Sequence, residues 1–117
     1  MMEELRALII RHCETLKREM ADVEGCMNRL VNDDEAHDSA LHQGIEMTHK
    51  IKGSSGSIGF ANISSTAAAL EKCLYAVQDN DDQAQLFEAC QHFDTLKELV
   101  ARVKPEESAL YSVESVG

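Results

Sequence analysis

The sequence has no tryptophan, one proline (Pro105), two tyrosines and three phenylalanines. Few aromatics and no β-branched runs argue against a sheet. No apolar run approaches the roughly 18 residues that cross a bilayer, and nothing resembles a signal peptide. Six glycines, three of them in one short segment, leave long stretches without a helix breaker. Basic side chains are also scarce: 11 Lys and Arg stand against 21 Asp and Glu, for a formal charge of −10. Such a chain has no general attraction for nucleic acid or anionic lipid, so nonspecific nucleic-acid binding is excluded. Cys13, Cys26, Cys73 and Cys90 form no CxxC pair, and no histidine stands at zinc-finger spacing from them. They read as small buried hydrophobes in a reducing cytoplasm.

What is present is a globular composition, 44% hydrophobic over 117 residues, which suits one domain. Leu5, Leu8, Ile9, His12, Leu16, Met20, Val23, Met27 and Leu30 recur every three or four residues, one face of a long amphipathic helix. His12 on that stripe reads as a core-edge histidine. The acidic run after Asn32 suits the first turn of a second helix. That helix shows Ala40, Gly44, Met47, Ile51, Ser54 and Ile58 as its inner face, and Gly59-Phe60 reads as its left-handed stop. Asn62 then caps a third helix carrying Ile63, Ala67, Leu70, Leu74 and Val77. The acidic cluster from Asp79 to Asp82 ends it and caps a fourth, with Leu86, Cys90, Phe93, Leu96, Val100 and Val103. Short connections force neighbours to run antiparallel. The expected fold is all-α: an up-down-up-down antiparallel four-helix bundle over residues 1–104, with residues 105–117 a flexible C-terminal tail.

One segment, from His49 to Gly59, does not fit a purely structural account. Glycine inside a helix costs about 1 kcal/mol relative to alanine, and here Gly53 and Gly56 sit beside three serines. On a helical wheel both glycines fall within about 40° of His49, as do His42 and Ile45, and Lys52 lies about 60° away. The imidazole is therefore expected on an exposed face cleared of bulky neighbours. A ring nitrogen there can take an electrophile while another protein approaches closely. Lys52 is placed to neutralise a phosphoryl group on that ring. Lys50 and Lys52 outnumber Glu46 between residues 40 and 60, so this patch escapes the overall acidity.

The run HKIKGSSGSIGF resembles the signature of histidine-containing phosphotransfer (HPt) domains, H-x-aliphatic-K-G-small-small-x-x-aliphatic-G. His49, Ile51, Lys52, Gly53, Ser54, Ser55, Ile58 and Gly59 meet its specified positions, with Ile51 where that family often has leucine. The resemblance implies a phosphorelay intermediate and a four-helix bundle spanning nearly the whole chain. His49 would accept the phosphoryl group from a receiver-domain aspartyl phosphate and pass it to another receiver. It also implies that Lys52 steadies the phosphate and that Gly53 and Gly56 keep the docking surface open. Around that centre Ile45 is expected as an apolar contact, with His42, Glu46 and Lys50 on the rim. Such a protein is no kinase and needs no cofactor of its own, since the receiver brings the Mg²⁺. Its partners would be response-regulator receiver domains and a hybrid sensor histidine kinase, with neither nucleic acid nor membrane, and the chain is expected to be a monomer.

Other readings of the segment fail. Gly53, Gly56 and Gly59 make GxxGxxG rather than GxGxxG, and no strand precedes them. Glu46-x-x-His49 is the one such pair in the chain, where a di-metal bundle would converge two; no metal site is expected. The alternative function is a docking module that binds a kinase or receiver without carrying phosphate.

Overall fold

The computed structural model describes residues 2–32, 37–80 and 82–111. Four helices follow one another: α1 (Met2–Asn32), α2 (His37–Ile58), α3 (Ala61–Asn80) and α4 (Gln83–Ala101). A 3₁₀ turn, Pro105–Glu107, follows. The described residues include no strand, and no helix among them is long and apolar enough to cross a membrane. Contacts between helices set an antiparallel order. Glu19 meets Lys50 and His12 meets Ser55 across α1 and α2. Lys52 and His49 both meet Glu71 across α2 and α3, and Glu24 meets Lys97 across α1 and α4. The all-α four-helix bundle expected from periodicity is therefore what forms, elongated to 53 × 19 × 19 Å.

Each helix buries a stripe at the predicted spacing. Ile9, Leu16, Val23, Leu70, Leu74, Leu96 and Val100 are sealed in one continuous core. Leu8 departs from the expectation and is exposed, because it lies to one side of the Ile9–Leu16 line. The larger correction concerns α2. Its buried residues are Ala40, Leu41, Gly44, Ile45, Thr48, Ile51 and Ser55. The inner face is thus turned by roughly two-thirds of a right angle from the one read off Met47, Ser54 and Ile58. Gly44 belongs to both faces: a Cβ there would stand 3.6 Å from the Cys26 Cβ and 3.7 Å from Leu74, in ordinary contact with α1 and α3.

The helix stops are mostly as the residue types dictate. Gly59 has φ of +96°, and the Phe60 N–H donates to the Ser55 carbonyl while the Gly59 N–H reaches Gly56, the paired bonds of a Schellman stop. Asp82 caps α4 by accepting from the Ala84 N–H at 2.9 Å. Asn62, expected as a cap, lies inside α3, which begins at Ala61 with the Ser64 N–H donating to the Phe60 carbonyl. The acidic residues Asp33, Asp34 and Glu35, expected to open α2, and Asp81 lie outside the described residues.

The first part of the expected tail packs against the bundle. Residues 105–111 fold back on the α2–α3 turn, where the Ala109 N–H donates to the Gly59 carbonyl and Ser108 Oγ donates to the Ile58 carbonyl. Arg6 of α1 holds the end of this hook, donating from Nε to the Tyr111 carbonyl at 3.3 Å and resting its guanidinium 4.5 Å from that ring's centre. Residues 112–117 lie outside the described residues.

His12 is buried, as its place on the stripe implies. Its Nε2 lies 3.2 Å from Ser55 Oγ in a hydrogen bond, and its ring stacks on Phe60 at 5.8 Å. Burial, partly offset by the Glu19 carboxylate, lowers its pKa below the ordinary 6.5. The folded protein resists protonating His12 while the unfolded chain does not. Its contribution is therefore complete above pH 6.5 and shrinks as pH falls from there towards the lowered native value. Urea titrations of parent and His12→Gln between pH 7.5 and 5 should show the parent losing more stability over that window; parallel curves would contradict the assignment.

Candidate functional site

His49 projects from the middle of α2 towards solvent, its side chain 66% exposed, and leans over the seam with α3. From that seam rises Glu71, a carboxylate only 9% exposed that bonds two groups of α2 at once. Its Oε2 lies 2.7 Å from His49 Nδ1, and its Oε1 accepts from Lys52 Nζ at 2.7 Å. Burial alone pushes a carboxyl up, but the two hydrogen bonds and the charge of Lys52 outweigh it and hold Glu71 below the usual 4.5. An ionised carboxylate has only acceptor sites, so the ring proton sits on Nδ1. The Nε2 lone pair is left facing outward. This is the most informative feature of the site.

The spacing His49, Lys52 on one helix makes this possible. Residues three apart lie one above the other, so both polar ends converge on a single point of the neighbouring helix. Lys52 is partly buried and its backbone carbonyl accepts from Ser64 Oγ at 2.8 Å, a further tie between α2 and α3. Sequence reading missed Glu71. The signal was weak: an isolated glutamate beside Leu70 at the edge of an apolar stripe, in a sequence with many acids.

The other expected residues divide. Gly53 is exposed, and a Cβ there would meet nothing within 4 Å, so the protein's own packing does not require glycine at this position. Gly56 is exposed too, but a Cβ there would come within 3.1 Å of Ser64 Oγ, so its small size also serves the α2–α3 packing. His42 and Glu46 stand in the open and pair with each other at 2.8 Å. Ile45 is not a surface contact: it is 6% exposed and belongs to the core, a consequence of the turned inner face. Lys50 is exposed but its ammonium reaches 3.3 Å from Oε2 of the buried Glu19 on α1. That makes it the counter-ion of an interior carboxylate, and it lies on the α1 side of α2, whereas Lys52 lies on the α3 side. Among the described residues no three His, Cys, Asp or Glu side chains converge as a metal site would require. His49 faces Glu71 and Glu46 faces His42, so the Glu46-x-x-His49 pair does not aim at one point.

A family model for the Hpt domain matches residues 2–106 of the chain. Searches of curated proteins and of solved structures each returned no match.

Proposed function

Since the chain belongs to the Hpt domain family, whose members carry out histidine phosphotransfer in two-component signalling, we propose that His49 is its phosphoryl acceptor and that the protein is a phosphorelay intermediate between receiver domains. The single observation that carries this reading is the 2.7 Å bond from His49 Nδ1 to Glu71, which keeps the proton on the buried side and the nucleophilic nitrogen on the exposed one. Nε2 attacks the phosphorus of a receiver's aspartyl phosphate. The N–P bond forms as the P–O bond to the aspartate breaks, and the carboxylate leaves with the electron pair. The Nδ1 proton stays, so the ring gains positive charge as it is phosphorylated, and the ionised Glu71 offsets that charge. Lys52 has three donors and needs one for Glu71, which leaves others for phosphoryl oxygens. Running the same steps backward hands the group to a second receiver.

No kinase domain lies within these 117 residues, and in this reading a phosphorylated receiver is the donor. We assign the Mg²⁺ of the transfer to that receiver, and a hybrid sensor histidine kinase to the head of the relay. The free cysteines, none paired with another, suit a reducing cytoplasm. The test is incubation with Mg²⁺ and a panel of phosphorylated receivers, followed by intact mass. A single acid-labile, alkali-stable phosphoryl adduct on His49 is expected. No adduct from any receiver, with binding retained, would instead mean a docking-only module.

Gly53 allows a sharper check of the approach. Because nothing crowds its missing Cβ, Gly53→Gln should fold and even gain up to about 1 kcal/mol of helix stability. The added side chain would stand where a receiver must come within bonding distance of Nε2, so transfer should fall by roughly 10²-fold. Circular dichroism melts and receiver-dependent phosphorylation rates measure the two effects. Transfer at the parental rate would mean the glycine does not mark the docking face.

A further inference from the structure

The expected apolar contact beside His49 is missing, because Ile45 is buried, yet the same face carries a different one. Tyr75 of α3 is 46% exposed, one turn beyond Glu71 on the side of α3 that meets His49. The register of the seam fixes its place. Gly56 packs against Ser64, His49 bonds Glu71 and Gly44 packs against Leu74, so Tyr75 lies level with the stretch of α2 around Ile45. It sits about 6 Å along the axis from Glu71 and one interhelical spacing, roughly 8–10 Å, across from α2. Phe87 on α4 is more exposed, at 66%, but the bonds that frame His49 join α2 to α3.

Resting on the phosphorelay reading, we propose that Tyr75 is the aromatic anchor by which a receiver domain docks over His49. The argument is one of obligatory coverage. A donor that brings phosphorus to Nε2 must bury the surface around it, and a small signalling contact of about 600 Å² per partner reaches roughly 14 Å from its centre. Tyr75 falls within that radius. Its ring is large, has few rotatable bonds to immobilise, and carries a hydroxyl that can stay wet at the rim, the properties of residues that dominate interface energetics. The complementary receiver patch needs an apolar side chain over the ring. It must also be free of acidic residues near Glu46, which is exposed beside the same stretch of α2.

The measurement is the rate of phosphoryl transfer to the full chain as a function of phosphorylated-receiver concentration. Tyr75→Ala should raise KM by about tenfold or more while the limiting rate stays within about twofold, with helix content unchanged by circular dichroism. Tyr75→Phe should restore most of the affinity, and Phe87→Ala should behave as the parent. A parental KM for Tyr75→Ala, or an equal loss for Phe87→Ala, would overturn the anchor and leave the relay intact. Absence of transfer to the parent itself would overturn the relay and the anchor together.

Discussion

His49→Gln is expected to remove phosphoryl acceptance altogether, a loss of at least about 10³-fold against the parent, because among the described residues no other exposed histidine has a carboxylate behind its Nδ1. The substitution leaves little else disturbed. The glutamine amide can donate to Glu71 in place of Nδ1–H, so the buried carboxylate keeps a second partner beside Lys52. The unfolding midpoint should therefore move little, and intact-mass labelling from phosphorylated receivers should read zero on a folded protein. Labelling that persists in the variant would transfer the role to another side chain. His42, whose Nε2 is held by Glu46 at 2.8 Å, would be the first to inspect.

The second large effect is expected at Glu71. Glu71→Ala takes away both the tautomer control of His49 and the partner of Lys52. Acceptance should fall on the order of 10–10²-fold, since the ring is still present but neither oriented nor compensated as it charges. Glu71→Gln is more discriminating. Its amide oxygen can still accept from Nδ1, but the full negative charge is gone, so its rate should lie between parent and alanine.

Stability should follow a different pattern from rate. Both partners of Glu71 are substantially exposed, His49 at 66% and Lys52 at 34%, so solvent screening limits the ion-pair contribution to about 1 kcal/mol. The pKa of Glu71 is lowered on folding. Its contribution is therefore complete above the ordinary 4.5 and is lost as pH falls through the native value. Denaturation curves of parent and Glu71→Gln should separate near neutrality and converge in acid. Curves that stay equally separated in acid would mean the charge is not what stabilises.

Much of this arrangement was legible in the residues themselves. Helix number, order and stops followed from period and breakers, and the Gly59 stop followed from residue type alone. His49, Lys52 and Gly53 emerged from the cost of placing glycine in a helix. What failed to show was what depends on a second helix. The inner face of α2 was misjudged because its buried set includes Thr48 and Ser55, which carry little hydrophobic signal, while Met47 and Ile58 carry much and are only partly covered. Glu19 and Glu71 carry no hydrophobic signal, yet each is buried where a lysine from α2 reaches it. Charge pairing across a seam has no local period to detect. The same holds for residues 105–111, whose order comes from bonds to Gly59, Ile58 and Arg6, about 50 to 105 positions away.

That hook also bears on how the chain matures. A ribosome releases this sequence from its N-terminal end, and α1, α2 and α3 can begin to associate while later residues are still being made. The carbonyls of Ile58 and Gly59, however, wait for Ser108 and Ala109. The turn that ends the histidine-bearing helix thus acquires its last bonds only after all four helices have been synthesised. A nascent chain halted before residue 108 would present His49 on a bundle whose lower end is still unlatched.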